Sequence, residues 1–169
     1  MRIGFTAAFL LSAALVARSG AGIAQMASAP TTSPASGGVH IYDVNADAKA
    51  DVAAAIKKAR AEHKRVILDF GGNWCGDCRV LDINFHKPEN EALLSKYYVL
   101  VDIDIGREDK NLDLAKQYGV PLEKGVPALS VVDGHGKVVY AQTKGEFEDM
   151  RHMDPASVQQ FLEQWKPKS

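Results

Sequence analysis

The segment Arg65-Val66-Ile67-Leu68-Asp69-Phe70, closed by Gly71-Gly72 and followed at once by Asn73-Trp74-Cys75-Gly76-Asp77-Cys78-Arg79, constrains the fold more than any other stretch of this chain. Its first half is a short β-branched and apolar run without polar alternation. That is the pattern of a strand buried on both faces, as strands of parallel sheets are. Its second half holds both of the chain's 2 cysteines, three positions apart. The fold must therefore carry a buried strand directly into a cysteine pair.

The flanking sequence supplies the layers around that strand. Asp47 can cap a helix through Ala48 to Lys64, in which Val52, Ile56 and Ala59 recur at helical spacing. Arg79 to Phe85 and Asn90 to Tyr97 read as helical segments separated by Pro88, and Tyr98 to Ile103 reads as the next strand. Leu112 to Tyr118 reads as a helix ended by Gly119. Ala128 to Val132 and Lys137 to Gln142 read as two strands around Asp133-Gly134-His135-Gly136, a hairpin signal. Asp154-Pro155 supplies a cap and first-turn proline for a last helix, Ala156 to Trp165. Strands separated by helices predict parallel crossovers, with the hairpin as an antiparallel edge. The fold class is α/β, a central mixed sheet with helices on both faces.

The chain begins with Arg2, an apolar run from Ile3 to Ala17 and then small residues, which predicts a secretory signal peptide over residues 1–24. Cleavage after Ala24 fits Gly22 and Ala24, and Ala27-Ser28-Ala29 offers a second site. The expected location is the periplasm or the exterior. Residues 25–38, rich in Ser, Thr, Ala, Pro and Gly, read as a flexible linker, and residues 39–169 as one domain. Without residues 1–24 the chain keeps 18 basic and 21 acidic side chains, a net charge of −3, which offers nothing to nucleic acid.

Three uses of the cysteines can be compared. As a structural staple, a disulfide closing a four-residue loop contributes only about 2 kcal/mol by the loop-entropy relation. A zinc site wants about four ligands, and no second cysteine pair or close histidine pair exists among His40, His63, His86, His135 and His152. Covalent haem attachment needs a histidine where Arg79 stands. Redox work suits the spacing, because two cysteines over a helix start can switch between dithiol and disulfide with little backbone movement.

The run from Val66 to Arg79, VILDFGGNWCGDCR, resembles the active-site segment of the thioredoxin superfamily, and the later GVPALSVVDGHGKVV resembles that family's cis-proline, strand, turn and strand. The resemblance covers essentially the whole domain. Gly-Gly-Asn-Trp-Cys, the long Arg107 to Lys124 segment and the leader are most similar to exported thioredoxin-like proteins, among them the C-terminal domain of the bacterial transmembrane thiol-disulfide interchange protein. The resemblance implies a thioredoxin fold and a thiol-disulfide oxidoreductase acting on cysteine-containing exported proteins. No cofactor and no metal is expected, and an exported reductant needs electrons delivered across a membrane, which implies a membrane-bound donor as a further partner only indirectly.

Roles follow from that resemblance and from chemistry. Cys75 at a helix N-terminus is the expected nucleophile, and Cys78, one turn further in, the resolving thiol. Asp69 matches the family's buried acid, suited to take the proton from Cys78, with a strand-end aspartate bonded to backbone as the plain alternative. Trp74 matches a surface tryptophan that packs on substrate, with core packing as its alternative. Pro127, rather than Pro121, is the expected cis-proline, and Val126 before it would offer its backbone to an extended substrate strand. Gly76 and Asp77 are the tuning positions between the cysteines. Asp77 would oppose a thiolate on Cys75 and favour a reducing couple, hence a reductase or isomerase.

Against the familiar pattern, Gly71 stands in place of a tryptophan, Asp77 of a proline, and Leu100 of the lysine that partners the buried acid. The acidic and basic residues from Glu146 to His152 read as a solvated loop face. Phe161, Leu162 and Trp165 read as core contacts of the last helix. The competing reading is a redox-regulated or metal-holding binding module without turnover.

Overall fold

Residues 40–168 are described by the computed structural model, so the expected leader and linker, 1–24 and 25–38, lie outside the described residues. Asp47 starts helix α1 (Ala48–Glu62) by accepting the Ala50 N–H at 3.1 Å, and His63 ends it in a left-handed conformation at φ 56°. The chain then enters strand β1 (Arg65–Gly71), buried from Val66 onward, as its unbroken apolar pattern requires.

Helices α2 (Gly76–Phe85) and α3 (Pro88–Tyr97) return the chain to β2 (Tyr98–Asp104), which pairs parallel to β1. Pro88 is the first residue of α3 rather than a spacer before it, because a helix start tolerates the missing N–H. The next connection departs from expectation. Strand β3 (Ala128–Val132) lies antiparallel to β1, giving the order β2-β1-β3-β4 with β4 (Val138–Ala141) antiparallel at the edge.

Helix α4 (Leu112–Gln117) has 6 residues, which span about 9 Å. Strand β2 has 7 residues, which span roughly 23 Å. The connection from β2 to β3, with α4 in it, returns the chain to the end of the sheet where β2 finishes. Ala128 enters opposite Phe70, and this brings Pro127 to the end of β1 that leads into the cysteines.

Both faces of the sheet are covered. Val52, Ala55 and Ala59 of α1 pack with Val66, Leu68, Phe70, Val101 and Ile103. On the other face Ile67, Leu129 and Val131 meet Leu81 and Phe85 of α2 and Val158, Phe161 and Leu162 of helix α5 (Ala156–Trp165). Each fully buried side chain of this kind contributes roughly 1.5–3 kcal/mol.

Between β4 and α5 the charged residues Glu146, Glu148, Asp149, Arg151 and His152 are exposed, the solvated face expected of them, while the apolar residues among them turn inward. Phe147 and Met150 are buried, and the Phe147 ring meets Phe161 edge-on at 5.2 Å between centroids. These apolar residues fold the segment down onto the second core and set the position of Arg151.

Candidate active site

Cys75 is the N-cap of α2 with an extended backbone, and its sulfur accepts the Cys78 N–H at 3.0 Å. A sulfur so placed receives an N–H bond and the positive end of the helix, both of which favour negative charge there. Cys75 and Cys78 form a disulfide with their Cα atoms 5.3 Å apart. Cys75 is 4% exposed and Cys78 0%, so only the first can be reached from outside.

The Val126–Pro127 bond is cis, and the Val126 carbonyl oxygen lies 3.5 Å from Cys75 Sγ. Buried Gln142 holds this loop from beneath: its Nε2 donates to Pro127 O at 3.1 Å and its Oε1 accepts the Leu129 N–H at 3.2 Å. No local pattern in the sequence marked Gln142. Trp74 is on the surface rather than in the core, 44% exposed. Its indole N–H donates to Gly106 O at 2.5 Å, and the Arg107 guanidinium sits 5.9 Å from the ring centroid. Gly76 has open space where a Cβ would project.

Asp69 lies in β1, fully buried, and its Oδ2 accepts the Tyr42 hydroxyl at 3.0 Å. Its Oδ1 has no hydrogen-bond partner among the described residues. Asp69 is therefore a side-chain-bonded acid, not a strand-end aspartate tied to backbone. Burial raises its carboxyl well above the ordinary range, and the charges of Asp102 and Asp82 add to this, while the Tyr42 hydrogen bond pulls the other way. Asp102, register partner of Asp69 on β2, is pushed up to about 6 by burial and then by Asp82, with His86 opposing. The position expected to hold a lysine partner is filled by Leu100, which packs with the second core.

Asp77 is placed differently from expectation. Its side chain is 11% exposed and paired with Arg151: the guanidinium approaches both carboxylate oxygens, at 2.9 to 3.2 Å, and the Arg151 backbone N–H donates at 3.0 Å. Burial would raise this carboxyl, but the hydrogen bonds and charge of Arg151 reverse that and leave it below the ordinary value. Asp77 therefore enters the first turn of α2 as half of an ion pair rather than as a bare negative charge. Arg79, the neighbour in sequence, instead donates to the Asn73 carbonyl at 3.1 Å.

This pairing makes a prediction for the potential. Arg151→Met removes the counter-charge and leaves Asp77 to oppose the Cys75 thiolate, so the couple should become more reducing by about 30 mV. Equilibration with glutathione buffers measures this, and an unchanged or more oxidising value would show that the field of Asp77 does not reach the pair.

Among the described residues no group of three or more His, Cys, Asp or Glu side chains is arranged to hold a metal ion. A strand feeding a capped cysteine pair, with a cis-proline loop against the outer sulfur, is matched by comparison with known proteins. The thioredoxin-like family model matches residues 47–134. The chain belongs to the thioredoxin-like family. It is 32% identical over 90 residues to the chloroplastic F-type thioredoxin of Pisum sativum, covering 53% of this chain and 44% of that protein. The chain matches about half the length of such curated relatives.

Among solved structures, the disulphide isomerase from Xylella fastidiosa Temecula1 superposes with a TM-score of 0.71 at 39% identity, over 74% of this chain and 95% of that one. The C-terminal domain of Neisseria meningitidis DsbD in its oxidised form is 27% identical, over 56% of this chain and 82% of that one, with a TM-score of 0.44.

Proposed function

We propose that this protein is an exported thiol-disulfide oxidoreductase that reduces or isomerises disulfides of cysteine-containing proteins through Cys75 and Cys78. The observation that carries this reading is the Cys75–Cys78 disulfide at the start of α2 with the Val126 carbonyl against its outer sulfur. The bias toward reduction or isomerisation rests on the likeness to the Xylella disulphide isomerase. Asp77 contributes less to that bias than its sequence position suggested, because Arg151 neutralises it. Export rests on the leader-like sequence of residues 1–24, and a membrane-bound donor would then return electrons to the pair.

The reductive half-reaction proceeds in two exchanges. The Cys75 thiolate attacks a substrate disulfide, forming a mixed disulfide and releasing the first substrate sulfur as a thiolate. The Asp69 carboxylate takes the proton from the Cys78 thiol. The Cys78 thiolate attacks Cys75 Sγ, the bond to substrate breaks, and its electron pair leaves on the second substrate sulfur. The enzyme ends oxidised, the substrate has gained two electrons, and both substrate thiolates take protons from water. Val126 would pair with the backbone of an extended substrate segment, and Trp74 would pack on its side chains.

An insulin-disulfide reduction assay with dithiothreitol tests the reading. The wild type should accelerate precipitation well beyond dithiothreitol alone, and Cys75→Ser should not. Equal rates with and without the wild-type protein would leave the non-catalytic, redox-regulated or metal-holding module in its place.

A further inference from the structure

A buried acid beneath a redox pair needs something to keep it usable as a base, and in this chain the lysine position offers only Leu100. The carboxylate is instead met from a segment that precedes α1. Tyr42, 1% exposed, donates its hydroxyl to Asp69 Oδ2 at 3.0 Å from 27 residues upstream in sequence.

Asn73 fixes that tyrosine. Its Oδ1 accepts the N–H groups of Ile41 and Tyr42 at 2.9 and 3.1 Å, and its Nδ2 donates to the Tyr42 carbonyl at 2.7 Å. Three hydrogen bonds from one side chain, two residues before the nucleophile, thus dock the Ile41–Tyr42 backbone against the site.

Gly71 makes room for it. A Cβ on Gly71 would overlap the Tyr42 hydroxyl, lie 2.6 Å from Tyr42 Cζ and 2.9 Å from Cys78 Sγ. The end of the tyrosine side chain therefore fills the space a Cβ on Gly71 would need, and Cys78 Sγ borders the same space. Asn73, Gly71 and Tyr42 form one arrangement directed at Asp69.

We propose that Tyr42, held by Asn73, is the positioning residue for the proton acceptor: it donates a hydrogen bond to the Asp69 carboxylate and keeps that group in the form that takes the proton from Cys78. This rests on the role given to Asp69 under the proposed function. Burial, and then the charge of Asp69 and the hydrogen bond to it, raise the Tyr42 hydroxyl above its ordinary value, which favours the donor form.

Other groups around Asp69 work against its charge. Asp102 of β2 and Asp82 of α2 raise its affinity for a proton, His86 of α2 offsets Asp102, and β3 places only Leu129 opposite. Tyr42 is thus the hydrogen-bond donor to Asp69 among the described residues.

The Tyr42→Phe variant tests this, because it removes one oxygen and keeps the ring that packs over Gly71. A stopped-flow experiment with a quenched peptide disulfide at saturating concentration makes release by Cys78 rate-setting. The acid limb of the release rate should move to higher pH in Tyr42→Phe, lowering the rate about tenfold at neutral pH. Asn73→Ala should move it in the same direction. In an Asp69→Asn background, Tyr42→Phe should have no further effect on the pH profile.

The side-chain carboxyl 13C resonance of Asp69 gives a second readout that does not depend on turnover, and it should titrate at higher pH in Tyr42→Phe. A folded Tyr42→Phe protein with the wild-type carboxyl titration would overturn the proposal, as would an unmoved acid limb. Failure of the oxidoreductase reading would be distinct: no release by the wild type at any pH, whatever the carboxyl titration does.

Discussion

Cys78→Ser should abolish turnover in the insulin assay while leaving Cys75 able to capture a disulfide, so that the protein accumulates as a covalent adduct with its substrate. Under the proposed mechanism the two sulfurs have separate tasks, in keeping with their separate environments. Cys75 caps α2 and faces the Val126 carbonyl, whereas Cys78 is sealed inside, and only it can cut an adduct formed on Cys75. Serine keeps the volume and the helix but supplies no sulfur nucleophile. Mass spectrometry of the variant after mixing with a peptide disulfide should find the peptide attached at Cys75 and released by dithiothreitol. Rapid release without added thiol, at a rate like that of the wild type, would mean that Cys78 is not the resolving group.

The second large effect is expected from a change of one methyl group. Gly71→Ala places a Cβ into the Tyr42 hydroxyl and against Cys78 Sγ. Neither can yield cheaply, because Tyr42 is pinned through its backbone by Asn73 and Cys78 sits in the first turn of α2. Overpacking of this kind costs about 1–3 kcal/mol. Displacing Tyr42 from Asp69 leaves a buried acid without its donor, which costs a further 1–3 kcal/mol or about that.

A fall in melting temperature of roughly 10 °C is the expected outcome. Gly71→Ala in a Tyr42→Ala background should cost much less than in the wild type, since the obstructing ring is gone. Equal costs in the two backgrounds, by chemical denaturation, would remove Tyr42 as the reason for the glycine.

What could be read from the sequence and what could not divides along sequence separation. Asp47 as a cap, the buried run from Val66 to Phe70, and α5 from Ala156 to Trp165 follow from local pattern, and the structure has them. The antiparallel entry of β3 could not be read from an alternation of strands and helices. It depends on which end of the sheet the residues between β2 and β3 return to, and no local pattern states that.

Partnerships around the site divide the same way. The cis bond before Pro127 was legible because Gly125-Val126-Pro127 abuts an apolar strand. Arg151 was not legible as the partner of Asp77, since the contact spans 74 residues and Arg79 stood nearer in sequence. Gln142 and Tyr42 carry no periodic signal. Each is a single polar group whose purpose is defined by a partner on another element. Gly71 was visible only as a missing tryptophan, and the tyrosine that fills its place comes from outside the strand and helix that the motif defines.

The tie between Asn73 and the Ile41–Tyr42 backbone sets where this domain can be cut. The family match begins at residue 47 and ends at 134, and a fragment trimmed to those limits would hold both cysteines and Asp69. It would lack Tyr42 at one end and Arg151 and α5 at the other. The buried acid would lose its hydroxyl donor and Asp77 its counter-charge, although every residue of the motif remained. The working unit is wider than the signature that identifies it, and its edges lie upstream of Ile41 and beyond Trp165.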